Sequence, residues 1–279
     1  MRLRGRRGSR NIEDRRRTGG KAGAGIGGVG LIVVLAIGYF AGIDVMPLLE
    51  GQAPPDQSSA PRQLSAEEEK AATFVSRVLA TTEDVWGTVF PGQLGRKYAP
   101  PVLVLYSGVT RSPCGGASGA TGPFYCPADR KAYLDTAFFA TLSQQLGAKG
   151  DFAAAYVIAH EVAHHVQNEL GILPEVNRLR QSTNQVEANE LTVRLELQAD
   201  CLSGVWAKAV DGMLEPGDLE EALNAARRIG DDYLQRSAGQ VPQPHTFTHG
   251  TSRQRAGWFA TGYKDGQVQV CDTFAADQL

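Results

Sequence analysis

The segment from Asp151 to Gln167, DFAAAYVIAHEVAHHVQ, restricts the fold and chemistry of this chain more than any other. Its apolar content, behind Asp151 as N-cap, predicts a buried helix. On that helix His160, Glu161 and His164 stand in the spacing HExxH. Residues four apart are separated by about 40° around a helix and one turn along it, so His160 and His164 can close on one metal ion. Glu161 stands about 100° further round, where its carboxylate reaches a metal-bound water without ligating the metal. A cation lowers the pKa of that water towards about 7, and Glu161 takes the proton as the water attacks a carbonyl. His165 points away from this face and reads as structural or exposed.

A catalytic zinc takes three protein ligands and keeps one position for water, so a third ligand is needed. A metzincin-type extension requires Gly at position 167 and His at 170, where this chain has Gln167 and Leu170. The better candidate lies in Arg194–Asp200, RLELQAD. If Glu196 ligates, Asp200 on the same face of a second helix can accept the free ring N–H of a ligating histidine. Leu191, Leu195, Leu197, Leu202 and Trp206 predict that this helix is buried, where isolated carboxylates are costly unless paired or metal-bound. Two imidazoles and a carboxylate suit one Zn2+ per chain.

Charge divides the chain unevenly. Residues 1–21 carry nine Arg or Lys against Glu13 and Asp14, and the body from Asp44 onward holds 19 basic and 28 acidic residues. A net-negative body has no general attraction for a phosphate backbone, so no nucleic-acid partner is expected for it. Residues 22–43 carry no charge and are long enough to cross a hydrocarbon core of about 30 Å, with 1–21 as a cytoplasmic tail under the positive-inside rule. The rival reading is a cleaved signal peptide, for which Tyr39-Phe40-Ala41 is a poor cleavage site. Residues 44–64, with Pro47, Pro54, Pro55 and Pro61, read as a flexible linker. The expected localisation is the cytoplasmic membrane, single-pass, with residues 65–279 on the extracytoplasmic side.

Within 65–279, Ser65 and Glu68 form a capping-box pattern for a helix from Ala66 to Trp86. Val102–Tyr106 and Lys131–Asp135 read as strands flanking a Gly- and Pro-rich loop. Further helices are expected at Thr136–Leu146, Glu187–Val210, Asp218–Gln235 and Ser252–Thr261. Four cysteines in an exported domain point to disulfides. The 12-residue separation across a turn-rich loop favours Cys114 with Cys126, leaving Cys201 with Cys271.

Three stretches together, YVIAHEVAHHVQ, ELQADCLSGVWA and GPFYCPAD (Gly122–Asp129), resemble the bacterial "putative neutral zinc metallopeptidase" family from about Ala66 to Phe274. The wider resemblance is to gluzincins, which carry HExxH followed by a Glu ligand. It implies a zincin-like α+β domain, mostly helical with a small sheet. It also implies His160, His164 and Glu196 as metal ligands, Glu161 as base, and a protein or peptide substrate. Thr248–Arg255 resembles the THP(x)4R segment of membrane-associated peptidases, with Gly250 in place of the proline. There His249 is the candidate for stabilising charge on the carbonyl oxygen, His245 is its competitor, and Arg255 holds the loop by ion pairing. The leading expectation is a membrane-anchored zinc peptidase. The alternative is a catalytically inactive, zinc-stabilised envelope binding domain.

Overall fold

The computed structural model describes residues 1–17, 63–118 and 122–279, which form a mostly helical α+β fold with a small sheet. The strands are β1 (Ile12–Asp14), β2 (Val102–Tyr106), β3 (Val109–Ser112), β4 (Gly115–Ser118), β5 (Phe124–Cys126) and β6 (Lys131–Asp135). The helices are α1 (Ala66–Leu94), α2 (Phe138–Gln144), α3 (Asp151–Leu170), α4 (Ile172–Arg180), α5 (Gln185–Ala209), α6 (Asp218–Arg228), α7 (Asp231–Ser237) and α8 (Ser252–Asp265).

The main sheet has the order β1-β2-β6-β5, with β1 and β6 parallel to β2 and β5 antiparallel to β6. The continuous apolar run VLVLY suits a strand covered on both faces. Leu103 and Leu105 join the helical core, whereas Val104 and Tyr106 pack with Cys126 and Tyr133 on the other side. The expected loop between β2 and β6 carries an antiparallel pair, β3 with β4, and the strand β5, tied by the Cys114–Cys126 disulfide.

Helix α1 starts on the Ser65/Glu68 capping box and runs past Trp86 to Leu94, because Val89 and Phe90 continue its buried face. Helix α3 is buried along most of its length, with Phe152 stacked on Trp206 of α5 at a centroid distance of 5.6 Å. Its N-cap is Gly150, not Asp151. The Asp151 carboxylate instead pairs with the Met1 ammonium at 2.9 Å, and Glu221 of α6 accepts the Phe152 N–H at 3.0 Å. Helices α5 and α8 approach so closely that a Cβ on Gly204 would lie 2.1 Å from the Phe259 carbonyl oxygen, and one on Gly262 1.9 Å from that of Cys201. The helix expected over Asp218–Gln235 is broken into α6 and α7 at Gly230, which lies against the backbone of Ser252.

The largest departure is at the N-terminus. Residues 1–17, expected as a tail across a membrane from the domain, add β1 to its sheet, with Ile12 beside Leu103 and Asp14 beside Leu105. Buried Arg16 bonds to Asp14 and to the Glu68 carbonyl, Arg7 pairs with Glu83 and Asp84, and Arg17 lies 3.1 Å from Glu69. The acidic face of α1 thus receives several of the basic residues that sequence alone assigned to a free tail. The expected span at 22–43 and the linker as far as residue 62 lie outside the described residues. Among the described residues no helix is long and apolar enough to cross a membrane.

Candidate metal centre

Helices α3 and α5 bring His160, His164 and Glu196 together, and ligand atoms of all three lie within 4.8 Å of one another. His160 Nε2 is 3.0 Å from Glu196 Oε2, and His164 Nε2 is 3.3 Å from Glu196 Oε1. The opposite ring nitrogens are engaged elsewhere. His160 Nδ1–H donates to Asp200 Oδ1 at 2.9 Å, and His164 Nδ1–H donates to Gln167 Oε1 at 2.8 Å. Both Nε2 atoms are therefore turned towards the centre, and once deprotonated they would give, with Glu196, the donor set zinc favours. The residues present fit the ion.

Asp200 is enclosed by polar partners. Arg255 of α8 donates from Nε to Oδ2 at 2.8 Å and from a terminal nitrogen to Oδ1 at 3.0 Å, and the Tyr156 hydroxyl donates to Oδ1. Burial alone would raise the Asp200 pKa, but Arg255 and His160 hold it below the usual carboxylate range. The same competition acts on Glu196, where burial is outweighed by His164 and His160 and the pKa falls well below its ordinary value. For His160, burial lowers the pKa, but bonding to Asp200 and Glu196 raises it to about 10. Glu161 moves in the opposite direction to the other carboxylates. Its burial raises the pKa against the pull of His164 and His160.

His165 is buried away from the centre. Its Nε2–H donates to the Ala99 carbonyl at 2.6 Å and its Nδ1 accepts from the Tyr125 hydroxyl at 3.0 Å. Burial pushes its pKa down to about 4, so it is a neutral structural residue.

The loop before α8 is gripped by the start of α7. Asp231 Oδ2 accepts the backbone N–H groups of Thr248, His249 and Gly250 at 2.8, 2.6 and 3.0 Å. His249 Nδ1 lies 3.3 Å from Asp231 Oδ1. Burial acts to lower the His249 pKa, but bonding to Asp231 and the nearby charge of Glu196 raise it. Gly250 has φ +87°, which proline, fixed near −65°, cannot adopt, and this accounts for glycine where the THP(x)4R pattern has proline. His245 is exposed on the turn Pro244–Thr246. Arg255, expected to hold the loop, holds Asp200 as well as donating to the Ile229 carbonyl at 3.3 Å.

Four contributors were not assigned these roles from the sequence. Tyr156 precedes His160 by four residues and Gln167 follows His164 by three, so helical spacing was a usable signal for both. Asp231 and the Asp200 contact of Arg255 arise from long-range packing, which leaves no local trace.

A family model described as "Putative neutral zinc metallopeptidase" matches residues 1–274. The chain belongs to this family. The match begins at residue 1, well before the region that carried the resemblance in the sequence, and so includes the residues that form β1. "Uncharacterized protein YpfJ" of Escherichia coli K12 is 50% identical over 288 aligned residues, covering 98% of this chain and 99% of that protein. "Uncharacterized protein Mb2605" of Mycobacterium bovis and "Uncharacterized protein Rv2575" of Mycobacterium tuberculosis are each 42% identical over 219 residues, covering 73% of this chain and 71% of theirs. No solved structure matches the chain. At the level of the family, zinc and a protein or peptide substrate are implied. Both expected disulfide pairs, Cys114–Cys126 and Cys201–Cys271, are formed.

Proposed function

We propose that this chain is a zinc peptidase of zincin-like architecture. It hydrolyses peptide bonds on the extracytoplasmic side of the cytoplasmic membrane, with Glu161 as general base. The observation that carries this reading is the convergence of two histidine Nε2 atoms on the Glu196 carboxylate, at 3.0 and 3.3 Å, with each opposite Nδ1 already bonded.

Zinc, when bound, supplies a Lewis acid that acidifies water and polarises the scissile carbonyl. His160, His164 and Glu196 would hold it, and Asp200 and Gln167 fix the two rings. Glu161 accepts the water's proton, and its raised pKa brings its proton affinity closer to that needed at neutral pH. It then returns the proton to the leaving nitrogen. His249, held by Asp231, offers positive charge to the developing oxyanion.

Two disulfides support an oxidising compartment for the domain. Attachment to the bilayer is assigned to residues 22–43. Residues 12–14 are docked beside β2, and Arg17 lies 3.1 Å from Glu69.

The test uses the full-length chain, wild type and Glu161→Gln, on an unstructured protein. Equal zinc content with activity reduced by roughly 10²–10⁴-fold in the variant supports hydrolysis. Zinc binding without cleavage by either protein, over a broad peptide panel, supports an inactive binding domain instead.

A further inference from the structure

The two histidines of the centre are held by chemically different partners. Asp200 is a carboxylate, an acceptor at both oxygens, so it presents an acceptor to His160 whichever way it turns. Gln167 is an amide with one accepting end and one donating end. Turned over, it would present N–H groups to His164 Nδ1–H, and the ring could then keep its metal-facing lone pair only by losing that bond. Something must therefore fix which end of Gln167 faces the ring.

The fixing groups form a continuous buried chain. Gln167, with no exposed surface, donates from Nε2 to the Leu195 carbonyl at 2.7 Å and to Gln198 Oε1 at 3.1 Å. Gln198 can accept there because its own Nε2 donates to the Cys271 carbonyl at 3.0 Å. A backbone carbonyl only accepts, so the direction of every bond from Cys271 through Gln198 and Gln167 to His164 has a single solution. The terminus of the chain is anchored. Cys271 is bonded through its sulfur to Cys201 on α5, the helix that also carries Glu196 and Gln198. Thr273 beyond it donates to the Arg194 carbonyl at 2.6 Å.

We infer that Gln167 is a positioning residue for His164, and that the Leu195 carbonyl, together with Gln198 and the disulfide-anchored Cys271 carbonyl behind it, sets the orientation of its amide. The inference rests on the proposed metal centre and adds to it a polarity relay absent from the HExxH and ExxAD patterns. Gln167 touches neither substrate nor metal; it acts through the ring of His164.

The experiment measures the zinc dissociation constant of the full-length chain by chelator competition, together with the thermal stability of the zinc-free form. Gln167→Met, similar in length but unable to accept from His164, is expected to weaken zinc by about 10–100-fold, the usual cost of losing a partner behind a metal ligand. Gln198→Met leaves the Leu195 carbonyl in place and is expected to weaken zinc in the same direction but less than Gln167→Met does, and adding it to Gln167→Met to produce little further loss, since both act through one chain. Gln167→Glu retains an acceptor. It is expected to hold zinc more tightly than Gln167→Met even if its buried charge lowers the melting temperature. A Gln167→Met dissociation constant within about twofold of the parent overturns the inference while leaving the metal centre intact. So does a series in which zinc affinity merely follows stability. A parent that binds no zinc at all removes the proposed function, and this inference with it.

Discussion

Arg255 and Asp200 form a buried ion pair in which the guanidinium contacts both carboxylate oxygens, at 2.8 and 3.0 Å, behind the ring of His160. Neither residue has more than 2% of its side chain exposed. Removing one partner from such a pair leaves an uncompensated buried charge, at a cost of about 3–5 kcal/mol. Arg255→Met is therefore expected to lose stability on that scale in denaturant unfolding of the zinc-free chain. Arg255→Lys, which keeps the charge but not the planar fork, should fall between it and the parent. A loss below about 1 kcal/mol for the methionine variant would place the pair outside the energetics of the centre.

Acid stability should carry the signature of His165. Its pKa is lowered to about 4 by burial, with the hydrogen bond to Ala99 opposing. A histidine with a depressed folded pKa is protonated more readily in the unfolded chain. Its contribution is thus full above about pH 6.5 and is lost as pH falls towards 4, amounting to about 3 kcal/mol. His160 and His249 are shifted upward, so below pH 6.5 their contributions are already complete and flat. Glu196 and Asp200, shifted downward, begin to matter only near and below the ordinary carboxylate range. His165→Gln should consequently flatten the fall in melting temperature between pH 6.5 and 4.5, while lowering stability at neutral pH through lost bonds to Tyr125 and Ala99. An unchanged slope would mean that His165 is not held neutral.

The N-terminal strand gives a prediction about both stability and sidedness. Deleting residues 1–17 removes β1 and the buried Arg16, and is expected to lower the melting temperature by on the order of 5–10 °C. In cells, Ile12→Cys combined with Leu103→Cys should cross-link, because the two positions are paired in the β1–β2 register. Failure to cross-link, with labelling that places residue 12 and residue 103 on opposite faces of the membrane, would restore the tail-inside arrangement that the charge pattern alone suggests.

What the sequence revealed and what it concealed divide along the range of the interactions. His160, Glu161 and His164 are spaced by one helical turn, and Glu196 and Asp200 by another, so each half of the centre is a local pattern. Bringing the halves together rested on the need for a third ligand, on the cost of burying carboxylates on an apolar helix and on the resemblance to gluzincins. Strand β2 was readable as a short apolar run behind two prolines, and β6 as an alternating pattern. Strand β1 was not, because Ile-Glu-Asp has no strand signature and acquires one only against a β2 far along the chain. The break at Gly230 had a glycine to mark it, but the reason for it, the approach of Ser252 and the grip of Asp231 on residues 248–250, is tertiary.

The proposed chemistry requires one ion held between α3 and α5. Anomalous diffraction at the zinc edge from crystals of the full-length chain tests this directly. The expected result is a single peak about 2.0–2.2 Å from His160 Nε2, His164 Nε2 and a Glu196 oxygen, with the Nδ1 atoms still bonded to Asp200 and Gln167. A zinc-replete crystal with no peak there, or with Glu196 turned away from both histidines, would contradict it.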